Sequence, residues 1–231
     1  MNAVSIPLPL IAGLALLGWL LVSAPTIWKI IMIWRTPTTW ISALSNEGRV
    51  EVVGKTGQKT LKSPIKNKPC VLWQLEVQEE RRQKNRISWA TVCKKSSGEL
   101  FEVADETGKI LVQPEGADLI LSEDSFSDHL DSQKMSVLQS LGVSTTNWLG
   151  SEKKMRVYER LIAPGEEVFV IGEIKVSDGS KSIASGTAAP MVITDRSEWE
   201  VLNALYLRVG KYFAIALIVG IGAVVAIFYH K

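Results

Sequence analysis

The segment VYERLIAPGEEVFVIGEI, residues 157–174, predicts two β-strands joined by a tight turn. Pro164 and Gly165 are typical turn residues that lead into a new strand. Gly172 lies within or at the end of that strand, which indicates a bulge or a close approach of another backbone. Neither glycine has the spacing of a Walker loop or of a dinucleotide-binding loop. The segment therefore favours a β module over a phosphate-binding enzyme.

Strand patterns with turn signals continue on both sides of this segment. GRVEVVG (48–54) alternates, and it is similar to GEEVFVIG, which indicates either a duplication or two ordinary strands bounded by glycines. The remaining predictions are a long hairpin (70–78 with 87–93) around the charged loop 79–86, a second hairpin turning at Asp105–Gly108, a short strand at 117–121, and a helix near 130–142 ending at Gly142.

Charge is distributed unevenly along the chain. Residues 1–28 and 212–229 contain no charged side chain, whereas all 24 Asp and Glu lie between Arg35 and Lys211. The middle is polar and nearly neutral, which argues against a nucleic-acid-binding surface. We expect no nucleic-acid partner, no cofactor and no metal.

The apolar stretch YFAIALIVGIGAVVAIFY (212–229) is long enough to cross a hydrocarbon core and is bracketed by aromatic residues. A buried core helix is the alternative. Asp195, with Glu198 three residues later, predicts the N-cap of one continuous helix over 196–229. Small residues at Ala15 and Gly18, and at Gly222 and Ala226, would allow the terminal helices to pack together or onto a partner.

The N-terminal stretch LPLIAGLALLGWLLVSAPTIW (8–28) is equally apolar. Residues 22–24 resemble a signal-peptide cleavage site, but no basic segment precedes the apolar stretch and Pro25 follows the site. A retained span kinked at Pro25 is therefore favoured. The basic residues that flank the middle place it on the cytoplasmic side by the positive-inside rule: Lys29, Arg35, Arg208 and Lys211.

Several polar residues invite functional interpretations. Cys70 and Cys93 lie on the predicted long hairpin, as reduced thiols or in cross-strand contact. His129 is either catalytic or an ordinary loop histidine. The basic hairpin tip touches anionic lipid or is a free loop, and it contains Arg81, Arg82, Lys84 and Arg86.

In order, the segments RTPTTWISALSNEGRVEVVGKTG, FEVADETGKILVQPEGADL, YERLIAPGEEVFVIGEI and PMVITDRSEWEVL resemble the GIDE family over residues 36–202. That family includes membrane-anchored E3 ubiquitin ligases of mitochondria and chloroplasts, and shorter prokaryotic relatives. The resemblance implies a β-rich "beside a membrane" (BAM) domain between two transmembrane helices. The positions that carry it are Pro37, Gly48, Glu51, Gly54, Asp105, Gly108, Tyr158, Glu159, Pro164, Gly165, Gly172 and Asp195.

The eukaryotic ligases place a RING finger beyond the second span, and a RING needs two four-ligand zinc sites. The sequence has two Cys and two His in total, namely Cys70, Cys93, His129 and His230. We therefore expect a RING-less, prokaryotic-type member in which the label of E3 ubiquitin transferase describes ancestry.

The fold predicted is a membrane-anchored α+β protein. Its parts are an N-terminal transmembrane helix (1–35, core 8–28), a β-rich barrel- or sandwich-like domain (36–194) and a long C-terminal helix (195–231) that includes the span 212–229. Two functions stay open. The first is a non-catalytic scaffold that binds a protein at the surface of a plasma or thylakoid membrane, in assembly, quality control or stress response. The second is enzyme-like, either ubiquitin ligase-related or a hydrolase using Tyr158, Glu159 and the Asp105 turn. The partners expected are the lipid bilayer, a membrane or membrane-adjacent protein, or further copies of the chain.

Overall fold

The computed structural model describes residues 8–229 apart from Asn85, Asp124, His129, Trp148, Asp178 and 187–189. The chain forms two compact units, of which one is the β-rich body Pro37–Arg196 and the other contains the two terminal helices. The predicted β-rich barrel between two long apolar helices is confirmed.

The helices are α1 (Leu8–Arg35), α2 (Ser132–Ser140) and α3 (Glu198–Tyr229), with a 3₁₀ turn at Ile41–Ala43. The strands, in chain order, are β1 (Arg49–Thr56), β2 (Leu61–Lys62), β3 (Pro69–Cys70), β4 (Leu72–Gln83), β5 (Arg86–Ser96), β6 (Phe101–Ala104), β7 (Lys109–Val112), β8 (Asp118–Ile120), β9 (Ser125–Ser127), β10 (Met155–Ile162), β11 (Glu167–Ser177), β12 (Ser180–Ala184) and β13 (Val192–Thr194).

Five strands close into a barrel in the order β1-β6-β7-β12-β11, and β11 returns to pair with β1. All neighbours are antiparallel except β7 and β12, which are parallel. This is the strand order of an OB-type barrel, with insertions after its first and third strands. The similar segments noted in the sequence belong to β1 and β11, which are direct partners with Val50 opposite Gly172.

Two glycines allow the barrel to close. A Cβ at Gly54 would lie 2.5 Å from the carbonyl oxygen of Ala104, and one at Gly172 would lie 2.9 Å from that of Ala184. Gly54 precedes Lys55, which pairs with both β11 and β6. Gly172 precedes Glu173, which pairs with both β1 and β12. The expected close backbone approach at Gly172 is thus confirmed, because a strand that bends around a barrel corner leaves no room for a side chain.

The barrel is filled by inward-facing aliphatic side chains from every strand. Alternate residues of β1 and β11 contribute to this core, as the period of a strand requires, and Ile41 belongs to the same buried cluster. The buried cluster includes Val50, Val52, Phe101, Val103, Ile110, Val112, Val168, Val170, Ile174 and Ile183.

A second sheet, in the order β5-β4-β10-β9, is built from the two insertions. Its inner face packs on α2, where Leu75, Val77 and Val157 surround the buried Leu138. The helix begins at Asp131, whose side chain accepts from the amide of Lys134. It is followed by Gly142 in the left-handed region, at φ 80°, as expected for a helix end.

The terminal helices α1 and α3 pack against each other in antiparallel fashion. The indole nitrogen of Trp19 donates to the carbonyl oxygen of Val209 at 3.4 Å, and the rings of Trp19 and Phe213 meet edge to face with centroids 5.4 Å apart. A Cβ at Gly220 would lie 3.5 Å from the Cβ of Ala15. The segments Gly13–Arg35 and Glu198–Gly222 are each long and apolar enough to cross a membrane.

Two details of the prediction are wrong. The charged segment 79–86 is not a loop, because β4 extends to Gln83 and β5 begins at Arg86. Successive charged side chains of these strands lie on opposite faces of the sheet. Asp195 does not cap α3, because both its oxygens accept from the amide of Ser122. Of the small residues considered for helix packing, Ala15 does lie at the contact between α1 and α3, where it faces Gly220, and a Cβ at Gly222 would touch no described atom within 4 Å.

Candidate functional site

A groove of about 720 Å³ lies beside β1, where the chain enters the barrel. Trp40, which is 58% exposed, and Gly54 both line this groove. The groove brings two of the predicted positions together, Gly54 and Asp105. Its other lining residues are Thr38, Thr39, Val53, Lys55, Ala104, Glu106 and Glu167.

Asp105 holds the turn between β6 and β7 together. Its carboxylate accepts from the amides of Ile41 at 2.7 Å, Thr107 at 2.6 Å and Gly108 at 2.9 Å, and from the Thr107 hydroxyl. Desolvation acts to raise the pKa of Asp105, but these hydrogen bonds outweigh it and keep the pKa below its usual value. Gly108 allows this turn to pack closely on Ile41, since a Cβ at Gly108 would lie only 3.2 Å from Ile41 Cγ2.

Glu51 is the buried carboxylate of β1. It is 1% exposed and accepts a hydrogen bond from the Thr38 hydroxyl, while the Thr39 amide donates to the Glu51 carbonyl at 2.8 Å. The segment that begins at Pro37 is thereby held along β1. Gly48, at φ 103°, starts the same strand with a conformation that favours glycine.

Glu159 is equally buried, at 1% exposure. Its two carboxylate oxygens accept from the amides of Ile65 at 2.8 Å and Lys66 at 3.1 Å, which fixes the turn between β2 and β3. Tyr158 is its neighbour in β10, so the two side chains lie on opposite faces of the sheet. The structure therefore does not assemble Tyr158 and Glu159 into one site.

Pro164, Gly165 and Asp195 lie around a smaller depression that Ser122 also lines. Gly165 has φ 78°, and its amide donates to the Thr56 carbonyl at 3.1 Å, so the predicted turn is confirmed. Asp195 links the end of β13 to the segment after β8 through the Ser122 amide.

Sequence reasoning missed a polar and aromatic cluster on the outer face of the second sheet. Arg156 lies over the ring of Trp89, 4.3 Å from its centroid, and its Nε donates to Gln78 at 2.8 Å. Tyr158 lies between Arg156 and Arg160, with guanidinium carbons 5.5 and 5.6 Å from its centroid. The available signal was the spacing of Arg156, Tyr158 and Arg160 at every second residue of one strand.

Glu76 organises this cluster. Its carboxylate accepts from Gln78 at 2.6 Å, from Thr91 at 3.0 Å and from Arg160 at 3.4 Å. Desolvation acts to raise the pKa of Glu76, but the hydrogen bonds and the Arg160 charge prevail and lower it. Glu76 is therefore ionised at neutral pH and keeps its neighbours oriented.

The family model of GIDE, described as E3 ubiquitin ligase, matches residues 74–227. This match covers about two thirds of the 231 residues. The chain belongs to the GIDE family. The match to GIDE starts within β4 and continues into α3, so it includes most of the second sheet and the strands that complete the barrel. No curated protein and no solved structure matches significantly.

The two cysteines of this GIDE protein are free thiols, as expected for reduced cysteines, and the alternative of a cross-strand contact between them is not met. Cys70 pairs with Leu61 in the small β2–β3 ladder, whereas Cys93 lies opposite Val77. Burial, together with the charge of Glu159, raises the pKa of Cys70 to about 11, which makes it a poor nucleophile.

The other candidate residues of the GIDE chain can be placed only in part. His129 and His230 lie outside the described residues. Within the part of the chain that the structure describes, no group of three or more His, Cys, Asp or Glu is arranged to hold a metal ion. At the tip of the long hairpin, Arg82 pairs with Glu80 at 2.6 Å and Lys84 adopts a left-handed φ of 51°.

Proposed function

We propose that this ubiquitin-ligase-related GIDE domain is a membrane-tethered, non-catalytic interaction module. It binds a protein partner at the membrane surface and serves in assembly, quality control or a stress response. Support comes from the closed barrel and from the helices that precede and follow it in the chain, which are long and apolar enough to cross a membrane.

The observation that carries this proposal is the use of the carboxylates at the family positions. Glu51, Asp105, Glu159 and Asp195 each accept hydrogen bonds that hold a neighbouring chain segment. A general acid or base must reach the proton of a substrate, and these groups are already engaged in supporting the fold. A domain whose carboxylates support the fold in this way is suited to presenting its surface to a binding partner.

The location we propose is the cytoplasmic side of a plasma or thylakoid membrane. The basic residues Lys29, Arg35, Arg208 and Lys211 flank the body on its side of the two apolar helices. Protease treatment of sealed vesicles tests this: cleavage of the body in inside-out vesicles and protection in right-side-out vesicles is expected, and the reverse pattern contradicts it.

The binding function is tested by chemical crosslinking in intact membranes, followed by purification of the full chain. A reproducible protein partner, absent when an unrelated two-span membrane protein is purified at equal abundance, is expected. Recovery of only the chain itself, under several growth conditions, would instead support self-association and contradict a separate partner.

The family description favours a second function, in which the domain assists ubiquitin-type transfer. Its test is the discharge of a ubiquitin-loaded conjugating enzyme in the presence of the full chain in nanodiscs. Accelerated discharge would support ligase-type chemistry, whereas an unchanged rate favours the non-catalytic module.

A further inference from the structure

The second sheet ends in a long open edge. β5 contains eleven residues, and within the described part of the chain it pairs with β4 alone. The amides and carbonyls on the far side of an edge strand are available to an extended peptide, which can add itself as a further strand.

A guanidinium group is held beside this edge. The Arg156 side chain starts from β10 and crosses β4, so that its guanidinium stacks on Trp89 of β5 at 4.3 Å. Its Nε is fixed by the 2.8 Å hydrogen bond to Gln78. The terminal nitrogens of a guanidinium oriented in this way form a fork that matches a carboxylate.

The neighbouring carboxylates do not neutralise the positive charge of the Arg156 guanidinium. Glu76 is paired with Arg160 at 3.4 Å, and Glu80 with Arg82 at 2.6 Å. No ion pair joins Arg156 to another described residue. The edge strand itself contains three basic residues and no acidic one, namely Arg86, Lys94 and Lys95.

We propose that the open edge of β5 and the Arg156 fork together bind an acidic, extended segment of the protein partner. This inference rests on the proposed function and names the surface and the chemistry of recognition. A strand added to β5 would lie about 4.8 Å from it, so a glutamate on its outer face lies within reach of Arg156. A second copy of β5 is the poorer occupant, because two strands with the same basic residues repel each other and lysines oppose edge-to-edge pairing.

The test measures the binding of a fluorescent decapeptide of alternating glutamate and threonine to the full chain in neutral phosphatidylcholine nanodiscs. The glutamine–threonine peptide is the control for charge. A glutamate–threonine peptide with every second backbone nitrogen methylated is the control for strand pairing. Saturable binding of the first peptide, weakened about tenfold or more in both controls, is expected.

Two variants of the chain locate the site. Arg156→Gln should weaken binding of the acidic peptide about tenfold, while Arg82→Gln changes the net charge equally but removes a guanidinium already paired with Glu80, so it should change binding less than twofold. Unfolding curves of both variants check that they fold. Equal effects of the two substitutions, or unchanged binding of the methylated peptide, would overturn the proposal.

The outcomes also separate this proposal from the one it rests on. If a crosslinked partner is found while Arg156→Gln has no effect on its recovery, partner binding stands and this surface is wrong. Dihexanoyl-phosphatidylserine is the test for a lipid ligand. If it displaces the peptide, and if Arg156→Gln weakens binding of this lipid as much as binding of the peptide, the fork binds a lipid headgroup instead of a protein.

Discussion

One carboxylate oxygen of Glu159 in β10 lies 2.8 Å from the backbone nitrogen of Ile65, in the turn that joins β2 to β3. The other oxygen accepts from the next amide along the chain. A residue that invited a catalytic interpretation is thus a buried link between the two insertions.

Glu159→Ala should therefore lower the free energy of unfolding by about 1–3 kcal/mol, because two amides lose their acceptor. Chemical denaturation of the full chain in mild detergent, followed by tryptophan fluorescence, measures the change. Glu106→Ala, at an exposed position, is the matched control and should change stability little. Unchanged stability of Glu159→Ala together with lost function would instead point to a catalytic role.

Gly172→Ala should destabilise the barrel by about 1–3 kcal/mol, because the new methyl group would lie 2.5 Å from Ile183 Cγ2. Gly98→Ala, where a Cβ meets nothing within 4 Å, is the control and should be nearly neutral. Thermal unfolding compares the two variants. Equal midpoints would mean that β12 does not approach β11 as closely as described.

The start of α3 offers a prediction about local stability. Ser197 and Glu200 form a capping box, in which the Ser197 hydroxyl accepts from the Glu200 amide at 3.3 Å and the Glu200 carboxylate accepts from the Ser197 amide at 3.0 Å. Ser197→Ala should speed hydrogen exchange at the Glu200 amide, at a cost of about 1 kcal/mol. Asp195→Ala should instead expose the Ser122 amide and leave Glu200 protected; faster exchange at Glu200 in that variant would restore Asp195 as the cap.

Asp105 predicts a pH dependence. Its pKa in the folded state is lowered by net hydrogen bonding, so its stabilising effect is present above the unfolded pKa of about 3.9 and is lost as pH falls through the lower folded value. Between pH 5 and pH 3 the parent should lose stability more steeply than Asp105→Asn. Parallel curves of unfolding free energy against pH would contradict this.

The packing of α1 on α3 is tested at two neighbouring glycines. Gly220→Ile should separate the helices, because the Ala15 Cβ lies 3.5 Å from the position of a new Cβ, whereas a Cβ at Gly222 would meet no described atom within 4 Å, so Gly222→Ile should change the distance less. Spin labels at the exposed positions Leu17 and Leu217 report the distance in nanodiscs. Equal distances in both variants would show that Gly220 does not set the helix packing.

Those labels require one further substitution in the body. Cys93→Ser removes the partly exposed thiol, while the buried Cys70, with its pKa raised to about 11, should stay unlabelled. Labelling of the Cys93→Ser chain without added cysteines checks this directly.

Local patterns were sufficient to predict most strands, the turns at Asp105 and Gly165, and the two long apolar helices. They were insufficient where two local solutions compete. Both Asp195–Glu198 and Ser197–Glu200 have capping-box spacing, and the choice between them depends on the Ser122 amide, which is distant in sequence.

The candidate site was harder to predict than the fold for the same reason. Charge alone suggested a loop at 79–86, but opposite charges on one face, such as Glu80 and Arg82, stabilise a strand as well. The Arg156 fork requires three strands to be placed side by side, and no pattern within a single strand contains that information. Four of the family positions, Glu51, Asp105, Glu159 and Asp195, accept hydrogen bonds from chain segments that are distant in sequence or precede their strand.

The pairing of β1 with β11 also has a kinetic consequence. On the ribosome, β1 emerges long before its partner, since both insertions are synthesised between them, and the hydrogen-bonding groups of β1 stay exposed during that interval. A high contact order of this kind slows folding. The nascent chain is therefore most vulnerable to misassembly before β11 appears, and shortening either insertion should accelerate refolding.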